Sequence, residues 1–267
     1  MNKEVCQIIS DRKVSGLYSL ILENDLIRAT ILTDFGAKLH TFIYKPTQKD
    51  FLYHHPRCLP RQPVYGVNVD NWWSGGIDEA IPTGHSWSLN GEEYPYLGEV
   101  WSLPGLWKIT KETPDEIELH LSCRTIIAPL EVERWCKLKK GEGKLHIRHK
   151  VTNIGYHSFD FLWGIHPAFE INPHSRIDIP AATVWIAESN PNCHLGSRGT
   201  TYTWPFAKQR GQETVDMRKV PDLEVGWHEL HHAVELTGGW LAVTDTLTGM
   251  GFGMTSLRKF FPLFGYG

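Results

Sequence analysis

Residues 17–32, with the sequence LYSLILENDLIRATIL, decide how the fold of this chain is interpreted. Two apolar-rich runs, residues 17–23 and 26–32, flank an Asn-Asp dipeptide, and a two-residue polar link between such runs is typical of a β-hairpin. A third apolar-rich run follows closely, at residues 38–44. The three runs predict an antiparallel meander, because short connections join neighbouring antiparallel strands.

Strand-like patterns return further along the chain. An apolar run over residues 158–171 predicts a buried strand that residues 164–167, Gly-Ile-His-Pro, interrupt, because proline is confined to the edges, ends or bulges of sheets. A long amphipathic periodicity, which would indicate a helix, is missing from the sequence. The remaining segments with strand signals are residues 106–110, 117–124, 130–139, 144–153, 233–236, 239–245 and 251–255.

Two long stretches lack this alternation. Residues 50–104 are rich in Pro, Gly, Trp, Tyr and His, and residues 191–221 are rich in Gly, Ser, Thr and Arg, so both predict loops. Long loops in compact domains usually carry function. Together the strands and loops predict an all-β fold, a large antiparallel β-sandwich. Because such sandwiches can reach this length, we expect one domain over residues 1–267.

The composition excludes several classes of partner. The chain has 27 Lys and Arg against 30 Asp and Glu, and a net charge of −3 gives no reason to expect nucleic acid or an anionic membrane. No apolar run approaches the roughly 20 residues that cross a bilayer, and the first residues lack the apolar core of a signal peptide. We therefore expect a cytoplasmic protein. Its five scattered cysteines form no C-x-x-C pair and predict neither a disulfide framework nor a thiolate metal site.

Aromatic residues are unusually frequent, with 11 Trp, 9 Tyr and 11 Phe beside 14 His. Pockets that combine aromatic faces with a few polar groups suit small neutral ligands such as sugars. Trp72, Trp73, Trp87 and Trp101 all fall in the first long loop. The alternative for each of them is to fill the core, and the sequence leaves both interpretations open.

Four blocks, in this order, resemble the aldose 1-epimerase (galactose mutarotase-like) superfamily. The first is a hairpin and its glycine turn, the second an acidic loop block, the third a strand end, and the fourth a strand that carries His-Pro. Their sequences are LENDLIRA (22–29) with DFGAKL (34–39), GGIDEAIPT (75–83) with LGEVWS (97–102), VTNIG (151–155), and WGIHPAF (163–169). The resemblance covers most of the chain and implies the family's supersandwich fold.

The resemblance also implies an activity, the interconversion of sugar anomers through ring opening. One group takes the proton of the anomeric hydroxyl while another protonates the ring oxygen, and no cofactor is needed. His166 inherits the family's acid role. Its residue type agrees, because an imidazole held beside a proline in an aromatic setting titrates near neutral pH. The alternative is a structural, hydrogen-bonded histidine.

The family's base is a glutamate near the C-terminus, and here no glutamate follows Glu235. The chain is therefore expected to lack the family's last C-terminal strands. Glu79 and Glu99 are the candidates for a replacement base, and the alternative for each is a structural or solvated carboxylate. The missing glutamate also favours a second hypothesis, a carbohydrate-binding or regulatory protein with an incomplete catalytic pair.

The expected sugar contacts also depart from the family. Leu97 stands where the family has a substrate-binding histidine, and His85, from the preceding loop, is the candidate to replace it. The other candidate substrate-binding residues are Trp73, Trp101 and Trp163. The sugar itself stays unnamed at this stage, because hydroxyl stereochemistry is read by side chains whose directions the sequence does not give.

One further motif points to a different chemistry. Residues 228–232, His-Glu-Leu-His-His, match H-E-x-x-H, in which two histidines one helical turn apart bind zinc. That geometry requires a helix, whereas this segment runs through residues 233–236 towards a strand. We therefore expect surface or strand-edge histidines here and no metal site, with a zinc hydrolase as the third interpretation.

Overall fold

The computed structural model describes residues 5–89, 91–189, 195–209, 213–222, 229–256 and 264–266. Strands dominate these ranges, in which the helical segments are two short 3₁₀ helices, Val69–Asn71 and Val100–Ser102. The predicted all-β fold class is confirmed. None of the described segments forms a helix with the length and apolarity that a bilayer crossing requires.

The strands are numbered in chain order. They are β1 (Gln7–Val14), β2 (Leu17–Glu23), β3 (Ile27–Leu32), β4 (Lys38–Tyr44), β5 (Lys49–Asp50), β6 (Ile77–Ala80), β7 (Trp87–Leu89), β8 (Glu92–Tyr94), β9 (Leu106–Glu112), β10 (Glu116–Arg124), β11 (Leu130–Lys139), β12 (Leu145–Asn153), β13 (Gly164–Pro167), β14 (Ser175–Asp178), β15 (Thr183–Ser189), β16 (Thr201–Thr203), β17 (Phe206–Lys208), β18 (Thr214–Asp216), β19 (Glu229–Val234), β20 (Trp240–Asp245), β21 (Gly251–Thr255) and β22 (Phe264–Tyr266).

The chain divides into two compact units, Met1–Glu170 and Ile171–Gly267. In the first unit, β1-β2-β3-β4-β6-β13 form one antiparallel sheet in that order, with β5 beside β4. A second sheet has the order β12-β11-β10-β9, and β7 pairs with β8. The expectation of one domain over residues 1–267 stays a prediction.

The two large sheets of the first unit share a core. Strand β11 alternates buried and half-buried residues along its whole length, as expected for a strand with one face against another layer. Polar contacts also join the sheets. The Asn24 side chain donates to the Lys139 carbonyl over 2.6 Å, and Arg134 Nη1 donates to the Ala37 carbonyl over 2.6 Å. The first unit is therefore a sandwich whose facing layers are fixed by apolar packing and a few buried hydrogen bonds.

The second unit contains a sheet of order β18-β17-β16-β15-β19-β22 and a smaller sheet of order β14-β20-β21. One apolar cluster of this unit centres on four buried side chains: Ile179, Val184, Ala233 and Leu236.

The four described cysteines of the chain are free, and Cys193 lies outside the described residues.

One strand prediction and two loop predictions were wrong. The loop expected over residues 50–104 contains β6, β7 and β8. The buried strand expected over residues 158–171 is reduced to β13, and Phe161 and Leu162 are 42% and 56% exposed. The apolar side chains led to the prediction of a buried strand. In the structure Gly164–Pro167 pairs with β6, and residues 158–163 lie outside any strand. The loop expected over residues 191–221 contains β16, β17 and β18 within its described parts. Each has only three residues, too few for an alternating pattern to show.

Candidate functional site

The candidate site is built on the edge of the first sheet, where β13 pairs with β6. In this antiparallel ladder His166 lies directly opposite Asp78, and Ile165 lies opposite Glu79. Residues opposite each other share a face of the sheet, with Cβ atoms about 4.5–5.5 Å apart, and successive residues alternate faces. His166 and Asp78 therefore occupy one face, and Glu79 occupies the other.

His166 is exposed to solvent. Desolvation by the surrounding protein nevertheless lowers the pKa of its imidazole, the Asp78 carboxylate opposes that shift, and the Lys38 ammonium adds to it. An exposed ring with a desolvated environment is reachable from outside while protein crowds its other side. This combination suits a group that exchanges protons with a bound molecule.

Beside His166 lies a buried ion pair. Lys38 Nζ donates to Asp78 Oδ2 over 2.6 Å, and the two side chains are 0% and 2% exposed. The second carboxylate oxygen, Oδ1, is buried and has no hydrogen-bond partner among the described residues. Backbone packing holds the pair, because a Cβ added at Gly76 would lie 3.1 Å from Lys38 Cε.

Two further histidines stand near Lys38. His40 is 8% exposed, and its ring centroid lies 4.6 Å from that of His54 in an edge-to-face contact. Burial, with the charges of His54 and Lys38, lowers the pKa of His40 to about 4. His54 Nε2 donates to Asp50 Oδ2 over 2.9 Å. His40 is therefore neutral near pH 7, and its Nδ1 atom is buried without a partner among the described residues.

An aromatic pair lies beside the chain that continues from His166. The Tyr53 and Trp73 rings are stacked, with centroids 5.7 Å apart and planes at 27°. The Tyr53 amide donates to the Ala168 carbonyl over 2.9 Å, which brings this pair next to the end of β13. Gly75 allows the approach, because its φ is +85° and an added Cβ would meet the Tyr53 carbonyl oxygen at 1.9 Å.

Glu79 is held on the opposite face of the sheet from His166. Its Oε1 atom contacts Arg134 Nη2 and accepts a hydrogen bond from His149 Nε2 over 2.7 Å. Burial alone raises the pKa of Glu79, but Arg134, His149 and a hydrogen bond from Trp163 outweigh burial and lower it. Glu79 therefore links the two sheets of the first unit through its contacts with Arg134 on β11 and His149 on β12.

Glu99 is fully buried in a different structural role. Its Oε2 atom accepts from the amides of Ile126 and Ile127 over 2.6 and 2.9 Å, and its Oε1 accepts from the amide of Ala128 over 2.9 Å. The Tyr65 hydroxyl donates to Oε2 over 3.2 Å. Glu99 therefore binds the turn between β10 and β11.

The structure separates the predicted sugar-contact residues. Trp101 is 1% exposed and packs against Phe35 in the core, with ring centroids 5.9 Å apart. Trp163 packs edge-to-face on His149 at 4.4 Å, on the Glu79 face of the sheet. His85 is exposed and contacts Tyr96. Of the predicted set, Trp73 is the residue that lies beside the chain following His166.

The H-E-x-x-H segment does not form the helix that a zinc site of this motif requires, in agreement with the sequence-based expectation. Glu229–Val234 is strand β19, and His228 lies outside the described residues. His231 is 2% exposed, with contacts to Glu229 and to Tyr202, and β19 lies between β15 and β22. The prediction of a surface or strand-edge histidine was therefore wrong for His231. The described residues contain no group of three His, Cys, Asp or Glu side chains arranged to hold a metal ion.

Sequence reasoning missed Lys38, Asp78, His40 and His54 as members of the site. The available signal was position, because Lys38 and Asp78 lie inside the first two of the four blocks that carry the family resemblance. Chemically, the face combines an accessible imidazole, a carboxylate with an unfilled oxygen, and a stacked aromatic pair. Such a face can bind a polar ring and move a proton to or from it.

No protein-family model matches the sequence. Among solved structures, a galactose mutarotase related enzyme from Lactobacillus acidophilus superposes with a TM-score of 0.58 at 12% identity, over 92% of this chain and 79% of that one. A galactose mutarotase-like protein from Lactobacillus casei gives 0.55 at 15% identity, over 92% and 81%.

A TPR-domain containing protein from Parabacteroides distasonis gives a TM-score of 0.59 at 16% identity, and covers 91% of this chain. This chain spans 36% of that longer protein. At these identities the likeness concerns the backbone arrangement. The chain therefore has the galactose mutarotase-like β-sandwich fold.

Proposed function

We propose that this protein interconverts the α and β anomers of a free sugar, with His166 as general acid. The observation that carries the proposal is an exposed imidazole paired across two strands with a buried, charge-balanced carboxylate. The galactose mutarotase-like fold supports the choice of reaction, since structures of this fold include a galactose mutarotase related enzyme.

In the proposed reaction His166 protonates the ring oxygen as the C1–O5 bond breaks. The anomeric hydroxyl loses its proton, and a carbonyl forms at C1 of the open chain. Rotation about the C1–C2 bond and reclosure by the reverse proton transfers give the other anomer. Glu79 and Glu99 take no part in this scheme, because both are buried in structural contacts away from His166. In this scheme the hydroxyl proton passes to solvent water.

Stacking supports the sugar in this scheme. The Tyr53–Trp73 pair is the aromatic surface beside the chain after His166, and aromatic faces suit the C–H faces of a sugar ring. The neutral buried His40 adds a polar group that carries no charge at pH 7.

Exchange NMR on α-glucose and α-galactose tests the proposal. We expect the protein to accelerate exchange between the anomeric resonances, and His166→Ala to reduce the catalysed rate about 100-fold or more, the usual contribution of a general acid. His157→Ala is the matched control, because His157 is an exposed histidine elsewhere in the same unit. Unchanged catalysis in His166→Ala would overturn the role of His166. Sugar binding without accelerated exchange in the wild type would instead support a carbohydrate-binding protein.

A further inference from the structure

We propose that Asp78 is a positioning residue that stabilises the protonated His166 imidazole, and that Lys38 holds Asp78 in place for this task. The inference deepens the proposed function and rests on it for the use of the His166 proton. The electrostatic coupling that it describes can be measured without any sugar.

The geometry supplies the first argument. His166 and Asp78 are directly opposite in the β13–β6 ladder and project from the same face. Asp78 uses only Oδ2 for Lys38, and Oδ1 is left buried with no hydrogen-bond partner among the described residues. A buried acceptor without a hydrogen-bond partner is costly, so the unpaired Asp78 Oδ1 calls for a role.

The second feature is the chemical nature of the buried pair, a lysine and an aspartate. A buried ion pair is often no more stable than apolar residues of the same volume, so stability alone does not explain a Lys and an Asp with 0% and 2% exposure. A buried charge without a partner is costly, so the Asp78 carboxylate needs a cation beside it. Lys38 supplies that cation, and the charge of Asp78 favours the imidazolium form of His166.

The charges that act on His166 come from two strands. Asp78 on β6 favours the protonated ring, whereas Lys38 on β4 opposes it with the smaller effect. Asp50, a carboxylate near His40, acts on His40 and His54, and it is not among the groups that shift His166. The coupling is therefore specific to Asp78 and can be separated from a general change in surface charge.

The test is an NMR titration of the His166 ring in the full chain, with the resonance assigned from the His166→Ala spectrum. Asp78→Asn should lower the pKa of His166 by about one unit, since an opposite charge at this range shifts a pKa by about one unit or more. The double variant Lys38→Met with Asp78→Asn leaves no buried charge behind, and should shift the titration in the same direction by a smaller amount. Asp50→Asn is the matched control and should leave the His166 titration in place.

If His166 titrates as in the wild type in folded Asp78→Asn or in the folded double variant, the inference is overturned, and a shift to higher pKa overturns it too. The double variant keeps the test decisive where the single variant does not fold. In the exchange assay, Asp78→Asn should also move the alkaline limb of the pH profile to lower pH, because the general acid acts in its protonated form. If the wild type does not catalyse exchange but the His166 titration still shifts in Asp78→Asn, the proposed function is wrong and the coupling between Asp78 and His166 is supported.

Discussion

Substitution of Glu99 tests whether its carboxylate stabilises the fold or acts as the base in the reaction. It binds three backbone amides of the turn between β10 and β11, at 2.6, 2.9 and 2.9 Å, from a fully buried position. Each amide left without an acceptor costs about 1–3 kcal/mol, so the loss of all three acceptors in Glu99→Ala should reduce the free energy of unfolding by about 3–9 kcal/mol. Glu99→Gln keeps one acceptor oxygen and places an amide donor against a backbone donor, which should cost about 2 kcal/mol.

Urea unfolding followed by tryptophan fluorescence measures these losses. With a urea dependence of about 2 kcal/mol per molar, Glu99→Gln should lower the midpoint by about 1 M. Glu93→Gln is the control, because Glu93 is exposed on β8 and should leave the midpoint in place. Hydrogen exchange at residues 126–128 should accelerate in the Glu99 variants. An unchanged midpoint together with lost anomer exchange would refute the reasoning and make Glu99 a candidate base again.

Three further outcomes follow from the first unit. Because the folded pKa of Glu79 lies below its ordinary 4.5, its stabilisation is present above pH 4.5 and lost as the pH falls, so acid titration of the urea midpoint should be shallower in Glu79→Gln. The pKa of His40 in the folded protein is about 4, so between pH 6.5 and 4 only the unfolded chain takes up this proton, and the wild type loses stability as the pH falls. His40→Gln should remove this loss, which amounts to up to about 3 kcal/mol in the free energy of unfolding. Urea unfolding at pH 6.5 and at pH 4 measures it. Gly75→Ala should destabilise far more than Gly91→Ala in thermal melts, because both have a φ of +85° but only an added Cβ at Gly75 meets backbone, the Tyr53 carbonyl oxygen at 1.9 Å. Equal melting shifts in the two glycine variants would contradict that argument.

The sequence predicted the local elements of the first unit well because their signals are local. The alternation over residues 17–44 and 106–153 needs only neighbours along the chain, and β2, β4 and β11 begin and end where the pattern does. The same reasoning failed for residues 158–171, where apolar side chains such as Leu162 are exposed. Apolar side chains indicate that a segment favours burial, but they do not show whether another part of the chain packs against it.

The site was less predictable because its residues meet through strand order. Lys38, Asp78 and His166 come from β4, β6 and β13, which are neighbours in the sheet but far apart in the chain. His166 stood out because a histidine beside a proline is distinctive in sequence. A buried lysine and a buried aspartate look like surface residues until the ladder places them against each other.

Strand β6 shows how register assigns chemistry to residues of the same type. Asp78 and Glu79 are consecutive acidic residues, yet the pleat directs the first towards Lys38 and His166 and the second towards Arg134. A shift of one residue in the pairing of β6 would exchange the two carboxylates between the faces. Each face would still carry one carboxylate, but Lys38 would then face the longer Glu79 side chain and Arg134 the shorter Asp78 side chain. The observed register pairs the shorter carboxylate with Lys38 and presents Asp78 rather than Glu79 to the imidazole.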